Sequence, residues 1–404
     1  MSVLSTGNDE LRAKIVVARK RILYLHPNLG LPPVNRRLDR FFALAEDVEG
    51  DVLHALSLST PEEVEAVLGP GSYPVYQCGK FRYHWFLTGK FTGLSKRLEA
   101  FRFFIRKGRQ LLRESHYDAI MAYSHMTNGL LAVLLKVLTG VPLIIEIVTS
   151  PSLVYITWRA KPTIGDYLRK LYSDICLHIS VLSANNVHLL FPTAFAHYPL
   201  LRKAQVSVFH EFVPVHQIPP RNPSAQRFVL LVGAPWYLKG VDLMILAFQQ
   251  VAAEFPDVTL KIQGYYSDRT EIDALVAGHP RIEILPALPY HQTLERMSQA
   301  ELLVLPSRCE GMPRVLIEAM TVGLPVVGSD VGGIPFMIED GVNGFVFASG
   351  DWRRLAQQLR SLLADAELRQ RFGERSFELA HSRWNEKAYC AAFVSMVDLA
   401  VRKT

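Results

Sequence analysis

Cysteine is scarce. The 404-residue chain has four, Cys78, Cys176, Cys309 and Cys390, far apart and without a C-x-x-C pair. That argues against a disulfide scaffold or a zinc cage and fits a reducing compartment. Cys309 stands beside Glu310, but no activating base is apparent near it, so a small loop-filling residue is the simpler reading. Long apolar runs are also missing. Gly129 to Val148 is broken by Lys136, Gly140, Pro142 and Glu146 and falls short of a membrane span. It reads as a helix followed by a strand. Met1 to Lys14 is polar and carries Asp9 and Glu10, so no signal peptide is expected there. There is no D-x-D pair to hold a metal.

What is present describes a globular protein. Apolar residues make up 49% of the chain and charged residues 20%, which suits full cores, and 404 residues suit two domains. The net charge of +6 is unevenly placed. Residues 1–200 carry 23 Lys and Arg against 16 Asp and Glu; residues 201–404 carry 21 against 22. The basic first half favours an anionic partner, such as a membrane surface, a lipid diphosphate or an acidic glycan. No motif accompanies that charge to suggest nucleic acid.

The most informative stretch runs from Leu305 to Phe347. Leu302 to Leu305 is a short apolar run that suits a buried parallel strand. Ser307 to Met312 is a polar, Gly-bearing loop. Pro313 suits the first turn of a helix, because its missing N–H is unneeded there. Arg314 to Val322 is that helix. Gly323 stops it, Pro325 prevents resumption, and Pro325 to Gly328 is the next strand. Strand, loop, helix and strand make a βαβ unit, which binds ligands beyond the carboxyl ends of its strands.

Glu310 lies at the helix entrance and Glu318 inside the helix, a little over two turns on. Between them are the free N–H groups and positive dipole end of a helix N-terminus, which suit phosphate. Carboxylates suit sugar hydroxyls. Phosphate donors between two hydroxyl acceptors match a nucleotide sugar.

At these residues the chain resembles the family 4 retaining glycosyltransferases, which have the GT-B fold of two Rossmann-like domains facing across a cleft. Glu310 and Glu318 meet that family's E-x7-E motif, and the PS, EG, IEAM, G-x-PVV, GG and DG-x-NG elements around them agree. The resemblance is strongest from about Phe228 to Phe347. It implies an α/β chain with an acceptor-binding domain over 1–215 and a nucleotide-sugar-binding domain over 216–384. Residues 385–404 would form a helix returning to the first domain.

Taken in order, Arg21 to Leu25 reads as the first strand, with a loop through His26 to Pro33 and a helix from Arg36 to Glu46. The resemblance places Gly30 near the donor phosphates, although the usual Gly pair is absent; a turn glycine is the other reading. Asp51 to Ser57 reads as the second strand. Ser72 to Gly93 is aromatic and irregular; an acceptor-binding or membrane-touching loop is one reading and packing against the core the safer one. Leu94 to Ser115 reads as a helix with Leu94, Leu98, Phe101, Ile105 and Leu112 as its apolar positions and a crowd of Lys and Arg elsewhere. That pattern suits either an ordinary surface helix or one lying on anionic lipid. Asp118 to Tyr123 is a strand, so His125 sits just past its carboxyl end; the resemblance puts a His there close to the transferred sugar or acceptor. Pro142 to Val148 is the next strand. Many relatives end it with a sugar-contacting His where this chain has Val148, and Glu146, on the same side, could replace that contact. Asp174 to Leu182 reads as a further strand, Val206 to Glu211 as the last of its domain, and the prolines from Pro214 to Pro223 as a linker.

Phe228 to Gly233 opens the second sheet. The family pattern that follows is met at Gly233, Lys239 and Gly240, while Ala234 stands where a phosphate-clamping Arg is usual. Lys239 remains as a compact phosphate-binding cation. Arg314 is the nearest replacement for the lost Arg; pairing with a nearby acid is its alternative. Loops at Gly264 and Pro286 would border the base. Gly311, Met312, Pro313, Arg314 and Val315 would line the diphosphate, Glu318 would hold the ribose, and Glu310 would hold the sugar.

The resemblance implies a retaining hexosyl transfer from a nucleotide-diphosphate sugar to a glycan or lipid-linked acceptor. It further implies polysaccharide or glycoconjugate synthesis in the cytoplasm, without metal or other cofactor, and the basic first half suggests a peripheral place at the inner face of the membrane. The alternatives are a nucleotide-sugar 2-epimerase of the same fold and a non-catalytic binding scaffold. Ala234, Val148 and Phe336, where the family often has Glu, favour the scaffold; intact Glu310, Glu318 and Lys239 favour the transferase.

Overall fold

The computed structural model describes residues 19–26, 43–150, 153–192, 198–266 and 268–402. They fall into two compact units. The first comprises the described residues of Met1–Tyr123, Thr127–Ile144 and Cys390–Thr404; the second comprises Ser124–Met126 and those of Ile145–Tyr389.

In the first unit the strands are β1 (Lys20–Leu25), β2 (Val48–Leu56), β3 (Val75–Cys78), β4 (Phe81–Leu87) and β5 (Ala119–Tyr123). They lie in the order β3-β4-β2-β1-β5. All neighbours are parallel except β3 against β4. Ile22, Leu23, Tyr24 and Leu25 are all buried, as a parallel strand covered on both faces requires. The aromatic stretch after Ser72 is not irregular: it folds into the β3–β4 hairpin. Phe81, Tyr83 and Trp85 alternate on one side and are buried, and the Trp85 indole donates to the Ser72 carbonyl at 2.8 Å. Period-two spacing was therefore present, but the polar residues between these rings obscured it.

The expected long helix runs from Gly93 to Glu114, but a different face is buried. Phe104, Gly108 and Leu111 face inward, while Leu94, Leu98 and Phe101 are exposed. Gly108 lies on this inward face, where a Cβ would stand 2.9 Å from a Leu135 methyl. The polar centre of this unit is Asp51, fully buried on β2. It accepts hydrogen bonds from Tyr117 (2.6 Å) and Arg82 (2.9 Å) and pairs with His84 at 2.7 Å. Burial alone would raise its pKa, but these partners more than offset that and hold it well below the usual carboxylate range. Residues of the final helix, Glu386–Val401, also join this unit: Asp398 pairs with Lys20 at 2.7 Å and the Cys390 thiol reaches the Ala43 carbonyl.

Strand β6 (Leu143–Ile147) straddles the division. In the second unit, the expected strand from Asp174 to Leu182 is the second half of a helix, Ile164–Ser183. Its β-branched and apolar residues resembled a strand. The buried set, Ser173, Cys176, Leu177, Ser180 and Val181, repeats every three and four residues instead, and Thr163 and Asp166 cap its start reciprocally. The true strand follows as β7 (Asn186–Leu189), parallel to β8 (Val206–Val208).

The second sheet is β9 (Arg227–Val232), β10 (Val258–Gly264), β11 (Ile282–Pro286), β12 (Leu302–Leu305), β13 (Val326–Ser329) and β14 (Gly344–Phe347). Its order is β11-β10-β9-β12-β13-β14, parallel throughout. Val229, Leu231, Met244, Phe248, Leu260 and Leu359 are among the core residues on which the flanking helices pack. From β9 the chain winds outward through β10 and β11, then returns to the other side of β9 for β12, β13 and β14. The loops after β9 and β12 therefore separate at the point where the winding reverses, which is where an open parallel sheet leaves a crevice. No helix among the described residues is long and apolar enough to cross a membrane.

Candidate active site

The two loops at that crevice carry Lys239 and Glu310. After β9 the chain runs from Gly233 to Gly240 and enters the Val241–Val251 helix. After β12 it runs through Ser307 to Pro313 and enters the Arg314–Val322 helix, with Pro313 as its N-cap residue. The Lys239 ammonium donates to Glu310 Oε1 at 2.5 Å, and the Ser307 hydroxyl donates to the same oxygen at 2.7 Å. Glu310 is 8% exposed. A cation and a carboxylate thus meet at the mouth of a helix whose first N–H groups point outward.

The loops are fixed to each other by backbone contact. Gly240 has φ +67°, and a Cβ there would lie 1.9 Å from the Pro306 carbonyl oxygen. Gly311 lies so close to Val148 that a Cβ would stand 1.9 Å from its carbonyl oxygen. Arg308 joins the loops further. Its amide donates to the Leu238 carbonyl at 2.8 Å, and its guanidinium grips both oxygens of Asp242 at 2.8 and 2.6 Å while stacking over Tyr237 at 3.9 Å. At the neighbouring strand end, Tyr266 donates to the Gly233 carbonyl at 2.8 Å, and Gly264 packs against that carbonyl.

Of the residues expected here, Lys239, Glu310, Gly233, Gly264 and Gly311 come together around these loops. Met312 is buried and Val315 half-buried in the following turn. Arg314 points elsewhere than to the Lys239–Glu310 pair: its guanidinium meets Glu211 at 3.3 Å. Burial opposes its charge, but Glu211 and Glu318 together raise its pKa further. Glu318 is fully buried on the same helix. His125 is held by the Ile164–Ser183 helix, its Nε2 2.8 Å from the Ser173 hydroxyl, and burial lowers its pKa to about 4 against the pull of Asp174. Glu146 is committed inside the fold, facing the His188 ring at 3.4 Å, and so does not stand in for the histidine missing at Val148. Burial pushes the Cys309 thiol pKa up, which fits a filling residue and not a nucleophile. Gly30 lies outside the described residues.

Sequence reasoning passed over Ser307, Arg308 and Glu211. Ser307 stands three residues before Glu310 in a loop too short to turn it away, which is a readable signal. The Arg308–Asp242 and Arg314–Glu211 pairs join residues far apart in the chain and leave none.

Residues 216–379 match the family described as glycosyl transferases group 1. Among characterised relatives, the alpha-D-kanosaminyltransferase of Streptomyces kanamyceticus is 31% identical over 163 residues, 40% of this chain and 42% of that protein. The match thus spans less than half the length of that relative. Among solved structures, sucrose-phosphate synthase from Thermosynechococcus elongatus superposes with a TM-score of 0.78 at 18% identity, covering 96% of this chain and 100% of that one. Anabaena HepE, in complex with UDP-glucose, gives 0.70 at 17% identity, covering 94% and 99%. The fold is therefore GT-B, and residues 216–379 are similar to the group 1 glycosyl transferases.

Proposed function

We propose that the protein is a retaining hexosyltransferase that moves a sugar from a nucleotide diphosphate to a hydroxyl of a glycan or lipid-linked acceptor, in polysaccharide or glycoconjugate synthesis. The observation that carries this reading is the Lys239–Glu310 pair at the winding reversal of the second sheet, beside a helix N-terminus. The supporting comparisons are the family match and a structural neighbour crystallised with UDP-glucose.

The barrier lies in breaking the bond between sugar and phosphate, as negative charge gathers on the departing diphosphate. Lys239 and the free amides at Arg314 and Val315 neutralise that charge; their positions are set before the donor arrives, which is what electrostatic catalysis requires. Glu310 accepts hydrogen bonds from sugar hydroxyls and orients the anomeric carbon. Glu318 serves the ribose. In this scheme the acceptor attacks from the face the diphosphate leaves, and configuration is retained. His125 lies on the acceptor side of this scheme. The chain needs no metal or other cofactor, because protein groups balance the leaving charge. We assign residues 1–215 to the acceptor, residues 216–384 to the nucleotide sugar and the helix beyond 385 to the first domain.

The protein works in the cytoplasm at the inner membrane face. The exposed Leu94, Leu98 and Phe101 with their basic neighbours on the Gly93–Glu114 helix suit an anionic lipid surface. Incubation with UDP-, GDP- and ADP-sugars, with and without a chelator, tests the central claim. Release of free nucleoside diphosphate from one donor, undiminished by chelator, is the expected result. Interconversion of two nucleotide sugars would replace transfer by epimerisation, and binding without turnover would reduce the protein to a scaffold.

A further inference from the structure

The Ile164–Ser183 helix buries one face in the second unit. Its opposite face is apolar and, among the described residues, uncovered. Ile164, Leu168, Leu171, Ile175 and Leu182 are 52 to 82% exposed, and an exposed His178 completes the row. A surface helix ordinarily turns charge outward. Here six outward positions are spaced four and three residues apart in strict alternation, the interval of a coiled-coil seam. Tyr167, Tyr172 and Ile179 widen the stripe and are also exposed.

Two features identify the occupant. The first is charge. The helix carries Asp166, Arg169, Lys170 and Asp174, which balance, and they pair along the helix at 3.2 and 2.8 Å. An anionic membrane selects a cationic surplus, which this face lacks. The second is symmetry. The row is self-complementary about the level of Ser173. An antiparallel copy sets Ile164 against the partner's Leu182, Leu168 against the partner's His178 and Leu171 against the partner's Ile175. Every seam position then meets one of the opposite kind, as antiparallel helices require, and the same patch serves both copies. The size fits too. Eight exposed apolar side chains, at on the order of 100 Å² each, bring about 800 Å² per copy, the share one partner contributes to a standard interface.

We infer that this face is a homodimer interface, two copies of the Ile164–Ser183 helix packed antiparallel about a two-fold axis. The full chain should sediment as a dimer at tens of micromolar. Leu171→Glu should make it monomeric, raising the dimer dissociation constant about a hundred-fold or more, because each interface would bury two unpaired carboxylates. Position 171 is exposed in one copy, so the variant's circular dichroism and melting should match those of the monomeric chain. Register is tested by crosslinking, since the four native cysteines are buried. Leu171→Cys mixed with Ile175→Cys should form an oxidised dimer, and neither variant alone should do so. A monomeric wild type, a Leu171→Glu chain that still dimerises, or crosslinking of Leu171→Cys with itself would each overturn the inference. So would flotation of the monomer with phosphatidylglycerol vesicles that Leu171→Glu abolishes, which would make lipid the occupant.

Discussion

Replacing Glu310 by Gln keeps the shape of the side chain and removes its charge. In the structure one carboxylate oxygen accepts from both Lys239, at 2.5 Å, and Ser307, at 2.7 Å. The amide oxygen of Gln can still accept both bonds, but the ammonium loses its counter-charge. A hydrogen bond to a charged group contributes about 1.5–3 kcal/mol. If the carboxylate makes such a bond to a sugar hydroxyl in the transition state, its loss lowers kcat roughly ten- to a hundred-fold. Folding should suffer less, by about 1–2 kcal/mol, because Lys239 is 17% exposed and water compensates it in part. Affinity for the free nucleoside diphosphate should change little, since the role proposed for Glu310 is at the sugar. Lys239→Met should do the reverse, weakening the diphosphate. Steady-state transfer with the accepted donor, and calorimetric titration with its nucleoside diphosphate, separate the two effects. A Glu310→Gln enzyme with normal kcat, or one whose main defect is nucleotide affinity, would refute the assignment of Glu310 to the sugar.

Three further outcomes follow from neighbouring features. His125 is neutral in the fold with a pKa near 4, while an unfolded histidine protonates near 6.5, so the unfolded state binds more protons below that value and stability falls as pH drops from about 6.5 to about 4. The loss should reach about 2 kcal/mol at pH 5 relative to pH 8, and His125→Gln should shrink that difference in urea titrations at the two pH values. Arg314→Ala breaks a half-buried pair with Glu211 and should cost about 1–3 kcal/mol of stability, non-additively with Glu211→Gln, while nucleoside diphosphate affinity stays within about threefold; a larger affinity loss would give Arg314 the phosphate role left open by Ala234. Phe101→Asp should reduce flotation with anionic vesicles at low salt, and high salt should reduce it for the unaltered chain; no binding at low salt would remove the membrane from the scheme.

The sequence is legible where local signals agree. The Arg314–Val322 helix, with Pro before it and Gly323 in the left-handed conformation after it, has the boundaries its end signals predict. Strand β11 likewise falls where its apolar run lies. The Ile164–Ser183 helix is misread because its exposed face is itself apolar. A stripe on both sides erases the polar positions by which a helical period is recognised, leaving a run that resembles a strand. The Gly93–Glu114 helix fails for a related reason. Its buried residues, Phe104, Gly108 and Leu111, are not the stripe that spacing picks out, and Gly108 among them carries no hydrophobic signal. At the site, glutamate and lysine are legible as a chemical pair. That Arg314 is turned to Glu211 and Glu146 to His188 depends on long-range packing, which spacing does not encode.

The rigidity of the two site loops bears on the missing clamp at Ala234. Gly240 against Pro306 and Gly311 against Val148 leave no space for a side chain, and Arg308 bridges the loops through Leu238 and Asp242. Neither loop can relax far without breaking backbone contacts. A rigid frame would make one cation more effective, because Lys239 would not have to be drawn into place by a diphosphate. In the absence of a donor, Glu310 neutralises Lys239, so the frame does not hold an uncompensated buried charge. In the proposed scheme, a diphosphate that takes Lys239 would release Glu310 to the sugar hydroxyls. Nucleotide and sugar would then be recognised through one exchange of partners, and a chain lacking the second clamp would still couple diphosphate binding to sugar orientation.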